Sequence, residues 1–192
     1  MLFVSFDMGT RNLAVCALQC DGNVTSLTNW MNIAVGSTKN TIAQLVECYA
    51  CFCRAQWEWL SKADHVVIEL QVAQNTRMKC AASAVQSMFN FHNIPVRVMP
   101  ARQKFKGVLD LLPEWTGKER SAQLKQLAVV ACRRWIKARP SMIVHADAIS
   151  SYRLFLLTPQ SRAEPKKLDD LADALLQAVT HAYQAGLIPD AT

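Results

Sequence analysis

Two acidic residues stand inside apolar runs where a strand would ordinarily carry none. Asp7 follows Leu2-Phe3-Val4-Ser5-Phe6, and Glu69 follows His65-Val66-Val67-Ile68. Three more, Asp169, Asp170 and Asp173, crowd the start of a C-terminal stretch in which Leu168, Leu171, Leu175, Ala178 and Ala182 recur at helical spacing. A carboxylate removed from water costs several kcal/mol unless it is paired or bound to a metal ion. Asp170 and Asp173, three residues apart, project from a line beside the apolar stripe with Cβ atoms about 5–6 Å apart, close enough to share a ligand. Carboxylates converging from two strands and a helix repel one another in a low-dielectric site, so a hard divalent cation, Mg2+ or Mn2+, is their natural partner. Asp169 and Asp170 also fall in a first helical turn, where the helix dipole favours acids without any function. The strand positions of Asp7 and Glu69 offer no such reward.

The cations gather elsewhere. From Arg102 to Arg139 ten basic residues stand against three acids, a net +7 compared with +6 for the whole protein. Lys104, Lys106, Lys118, Arg120 and Lys125 lead this segment as candidate contacts to nucleic acid. Leu124, Ala128, Ala131 and Trp135 recur at helical spacing between Lys118 and Lys137, which gives one buried stripe and a cationic remainder. A solvated helix face would look the same. The acids in the same chain are what favour a phosphate-bearing ligand.

These residues need a scaffold. Residues 2–8, 12–20 and 24–33 read as three successive antiparallel strands, the second and third joined at the turn signal Asp21-Gly22-Asn23. Thr38 is placed to cap a long helix through about Leu60, and His65 to Gln71 reads as a short buried strand. A second helix over about 75–92, a strand over 94–99, the basic helix and a last helix from Pro165 to about Ala185 complete the pattern. Only residues 140–164 lack a pattern and are long enough for a mobile loop. The order implies an α/β chain with a mixed five-stranded sheet, three antiparallel strands then parallel ones, and helices on both faces.

At 192 residues, with 51% hydrophobic and 19% charged residues, the chain reads as one domain spanning 1–192 with its own core. No apolar run approaches the roughly 18 residues that would raise the question of a membrane span. The first residues lack the basic region and cleavage site of a signal peptide. Seven scattered cysteines, an odd number, fit a reducing compartment, and a cytoplasmic or nucleoplasmic setting is expected.

Three motifs together carry a resemblance: Phe6-Asp7-Met8-Gly9-Thr10-Arg11-Asn12-Leu13-Ala14, Val67-Ile68-Glu69-Leu70-Gln71, and Lys166-Lys167-Leu168-Asp169-Asp170-Leu171-Ala172-Asp173-Ala174-Leu175. In order and spacing they resemble the Holliday junction resolvases of the RuvC superfamily, above all the poxvirus and yeast mitochondrial branches. The resemblance implies an RNase H-like fold and a homodimeric endonuclease that cuts two opposed strands of a four-way DNA junction with magnesium. It assigns catalytic and metal-binding roles to Asp7, Glu69, Asp170 and Asp173, with Asp169 an extra candidate. The family also places a basic residue near the scissile phosphate; Lys118 is the first choice for it and Lys106 the second. In physical terms, two ions about 3.5–4 Å apart would activate water and stabilise the leaving oxygen, with Asp7 bridging them. Symmetric cutting requires a two-fold dimer. The second helix carries two stripes, Met78, Ala81, Val85 and Phe89 on one and Cys80, Ala84, Ser87 and Phe91 on the other, so that one can cover the sheet and leave the other for a partner subunit; a helix buried on both sides within one chain would show the same pattern.

Other motifs point less clearly. Cys48, Cys51 and Cys53 imitate a metal knuckle, but no second pair follows, so they read as buried small hydrophobes on a helix. Trp57 and Trp59 cannot share a helix face, which leaves at least one exposed. Three competing functions remain: a related nuclease of the same fold acting on branched DNA or an RNA–DNA hybrid, an actin-like or sugar-kinase-type ATP-binding protein suggested by Asp7-x-Gly9-Thr10, and a non-catalytic junction-binding module.

Overall fold

A computed structural model describes residues 1–22, 24–71, 74–157 and 168–188. Strands β1 (Leu2–Met8), β2 (Asn12–Asp21) and β3 (Val24–Ala34) form an antiparallel meander. Strand β4 (His65–Glu69) then pairs parallel to β1, and β5 (Val96–Met99) pairs parallel to β4. A sixth strand, β6 (Ile143–Val144), pairs parallel to β3, so the order across the sheet is β5-β4-β1-β2-β3-β6. Six strands replace the five expected, because a two-residue strand is too short to show alternation in sequence. It lies in the 140–164 stretch, which is also not one long loop: helix α5 (Ala146–Leu157) follows β6 after one residue, and residues 158–164 lie outside the described residues.

Helices cover both faces. Helices α1 (Ile42–Ala55), α2 (Trp57–Leu60) and α3 (Thr76–Phe91) pack on the face that carries Val4, Phe6, Leu13, Val15 and Val66. Helices α4 (Ser121–Lys137), α5 and α6 (Leu168–Gln184) pack on the other, against Phe3, Cys16, Leu18, Leu27 and Trp30. The single helix expected to 60 is two. The cap is Thr41 rather than Thr38: its hydroxyl accepts from Gln44 N while Gln44 Oε1 accepts from Thr41 N, a reciprocal pair that starts the helix three residues later. At Gln56 the helix breaks, which half-buries both tryptophans: Trp57 packs on Phe89 and His92, and the Trp59 ring N–H donates to Gln56 Oε1. Neither is the fully exposed ring that the sequence predicts. The Pro165 start expected for α6 lies outside the described residues.

The period of the strands decides which acids meet. Successive residues of a strand point to opposite faces. In β1, Val4 and Phe6 face α1 and α3, so Ser5 and Asp7 face α6; in β4, Val66 and Ile68 take the first face and Glu69 the second. Helix α6 is held onto that surface by small side chains, Ala172, Ala174 and Ala178, all buried. Two hydrogen bonds fix its position: the Trp30 indole N–H donates to Leu171 O at 2.9 Å, and the Ser5 hydroxyl donates to Ala174 O.

Candidate metal centre

Asp7 near the end of β1, Glu69 at the end of β4 and Asp173 on α6 each offer a carboxylate oxygen within 4.8 Å of the others. Among the described residues this is the one group of three or more His, Cys, Asp or Glu side chains with such spacing. Asp170 lines the same cavity, of about 370 Å3, together with Gly9, Thr10, Arg11 and Lys125, but stands outside the tight trio. Its Oδ2 accepts from Asn32 Nδ2 at 3.3 Å. Asp169, half-buried, pairs with the Lys125 ammonium at 2.5 Å. The acid cluster expected from sequence is therefore brought together, with Asp170 at its wall and Asp169 at its rim.

The cation among these acids is Lys104. Its Nζ lies 2.5 Å from Asp173 Oδ2 and 3.9 Å from Glu69 Oε2, and its side chain is only 6% exposed. It stands on a kinked 3-10 segment, Ala101–Leu111, whose two halves join at Val108. That segment docks on α6: Thr180 donates to Lys104 O at 2.6 Å and accepts from Gly107 N at 3.1 Å. Sequence singled out Lys104 as a surface contact to DNA. The structure instead buries it against the carboxylates, because a 3-10 segment has no apolar period long enough to reveal which residue faces inward. Lys118, expected near the reacting phosphate, is exposed before α4 and lines a separate recess with Glu114, Thr116 and Glu119. Lys106, Arg120 and Lys125 are also exposed, and Lys125 reaches the acidic cavity.

Electrostatics follow from crowding. Burial, and then the charges of Asp173, Glu69 and Asp170, push the Asp7 carboxyl well above the usual range despite Lys104. Burial likewise raises Asp173, to about 6, while Lys104 opposes the rise. Glu69 is raised too, by burial, with Lys104 and Lys125 pulling it down. One ammonium does not balance three buried carboxylates. Asp173 Oδ1 is buried and accepts no hydrogen bond. An oxygen-only donor set with an orphaned carboxylate oxygen and excess negative charge fits Mg2+ or Mn2+. The cysteines offer no rival site: Cys53 is buried, Cys48 half-buried and Cys51 exposed beside Glu47 and Arg54, which corrects the expectation that all three are buried.

The profile of a family described as mitochondrial resolvase Ydc2 and RNA-splicing MRS1 matches residues 58–185. A search of curated proteins by sequence returns no match. Among solved structures, RuvC of T. thermophilus in complex with a Holliday junction substrate superposes with a TM-score of 0.62 at 16% identity, covering 97% of this chain and 96% of that one. The fowlpox virus resolvase in complex with its Holliday junction DNA gives 0.61 at 16% identity, covering 96% and 99%. These likenesses establish the RNase H-like, RuvC-type fold.

Proposed function

Because the chain belongs to the family of the mitochondrial resolvase Ydc2 and the RNA-splicing protein MRS1, we propose that it is a metal-dependent endodeoxyribonuclease that resolves four-way DNA junctions by paired phosphodiester hydrolysis. The observation that carries this reading is the trio Asp7, Glu69 and Asp173 within 4.8 Å, compensated by one buried lysine. A structural acid cluster has no reason to be left under-neutralised at the mouth of an open cavity.

Asp7, Glu69 and Asp173 would hold Mg2+ or Mn2+, two ions per site, with Asp170 completing the donor set. Bound there, the ions supply an activated water and charge stabilisation at the phosphate. The remaining work belongs to the protein. Lys104 adds a cation against the developing negative charge, from inside the site, where a low dielectric strengthens it; Lys118 and Lys106 stand on the surface, suited to positioning the backbone rather than to the reacting phosphate. Arg120 and Lys125 are exposed as well, and Lys125 lines the acidic cavity. Cutting two strands requires two copies of the site, and a homodimer would supply them. The outer stripe of α3 is partly open for that purpose: Ser87 is exposed and Phe91 is 82% exposed, Cys80 and Ala84 are half-buried, and Met78, Ala81, Val85 and Phe89 are buried.

A second reading, a binding module without catalysis, draws on the splicing protein in the family's description. The intact trio of acids weighs against it. Incubating the protein with a synthetic four-way junction, a linear duplex and an RNA–DNA hybrid, with Mg2+ or EDTA, decides among these. Paired metal-dependent nicks on the junction alone are expected; binding without cutting would replace the nuclease by the module, and cutting of the hybrid alone would change the substrate. Among the described residues no helix is long and apolar enough to cross a membrane. Seven free thiols fit a reducing compartment; the mitochondrial wording of the family's description stands beside the cytoplasmic or nucleoplasmic expectation from sequence.

A further inference from the structure

Besides its acids, α6 buries two polar side chains, Gln177 and Thr180, at 1% and 0% exposure. They are satisfied very differently. The Thr180 hydroxyl both donates and accepts in docking the 3-10 segment, so its role is structural. Gln177, one turn beyond Asp173, donates Nε2 to Glu69 Oε2 at 3.3 Å, and its Oε1 is buried with no hydrogen-bond partner. A leucine or methionine would fill the same space without leaving an acceptor dry, as Leu175, Leu176 and Val179 do beside it. The one contact that distinguishes an amide here is to a carboxylate of the trio. An uncharged donor also has a property that Lys104 lacks, since it can fix a carboxylate without competing with a cation for its charge.

We infer that Gln177 is a positioning residue: its amide N–H holds the Glu69 carboxylate turned toward Asp7 and Asp173 and so raises the affinity of the trio for a divalent cation. This rests on the metal reading above and adds a residue that touches neither substrate nor ion.

The test is Mn2+ titration of the DNA-free protein, followed by calorimetry or by the spin resonance of unbound Mn2+. Gln177→Met should weaken binding about tenfold, the lower end of the roughly 10–100-fold that supporting residues contribute, without lowering the melting temperature in EDTA. If Gln177 acts through Glu69, adding Gln177→Met to Glu69→Gln should change the affinity by less than about twofold. Unchanged affinity in Gln177→Met, or the same tenfold loss persisting in the Glu69→Gln background, overturns the inference. Should Gln177→Met fail to fold, Gln177→Asn, polar but one methylene too short to reach Glu69, must show the same loss or the inference falls. Absence of Mn2+ binding by the unsubstituted protein would instead remove the metal reading itself.

Discussion

At the scale of single residues, the site is a balance of charge. Asp7→Asn or Glu69→Gln removes an oxygen donor, and cleavage of a labelled junction should fall by more than the roughly 100-fold that a supporting residue can cost, while gel-shift affinity for the junction stays nearly intact. Lys104→Met leaves Asp173 and Glu69 without their buried counter-charge. Breaking such a pair costs about 3–5 kcal/mol, so the chemical denaturation midpoint in EDTA should drop sharply and recover in part with Mn2+. Asp173 sets a pH dependence of its own. Its folded value, about 6, lies above that of the unfolded chain, so the stability it contributes is full below about 4 and is lost as pH rises through about 6. A divalent cation reverses that loss, because it binds the deprotonated form. Thermal melts should therefore show a larger gain from Mn2+ at pH 7.5 than at pH 5; at a hundredfold excess over Kd the gain is about 2.7 kcal/mol, or roughly 5–10 °C. That Asp7 and Glu69 would meet an acid of α6 was readable from sequence, since a carboxylate inside an apolar strand has no structural reward; that Asp173 joins them within 4.8 Å while Asp170 lines the cavity wall was not. Lys104 and Gln177 were not, because nothing in their neighbours' periodicity marks them as facing the acids.

At the scale of elements, placing the ammonium depends on one close approach. A Cβ on Gly107 would lie 2.9 Å from Thr180 Cα, backbone against backbone, with neither side free to swing away. Gly107→Ala should therefore push the 3-10 segment off α6, cost about 1–3 kcal/mol as overpacking does, and lower cleavage by moving Lys104; denaturant midpoint and cleavage rate measured on one preparation check both. The long elements were legible: β1, β2, β3, α3 and α4 lie within two or three residues of where alternation and helical spacing put them. What escaped did so for different reasons. The two-residue β6 and the interruption at Gln56 are too short for a period to be read, the eleven-residue 3-10 segment is kinked at Val108 and does not keep the 3.6-residue period, and α5, twelve residues long, segregates its polar and apolar residues only weakly.

At the scale of the whole molecule, Lys106, Lys118, Arg120 and Lys125 are all exposed, and Lys125 also lines the acidic cavity. Each phosphate neutralised releases counterions, so neutralising any one of these cations should weaken junction binding and reduce the slope of log K against log salt by about 1. A cation that does not meet DNA would leave the slope unchanged. The overall charge suggests a polyanionic partner from sequence, but which faces of the basic segment point outward had to come from the fold: Arg133, toward the C-terminal end of α4, is buried. The sheet ends differently at its two sides. At one, β5 is four residues long and pairs with β4 from Val66 to Glu69, which leaves a short border; at the other, β6 pairs only with Ser26 and Leu27 of the eleven-residue β3. At the β5 border a neighbouring copy meets few backbone groups onto which it could add itself as a further rung, and the brevity of that strand keeps copies from zipping into fibres there.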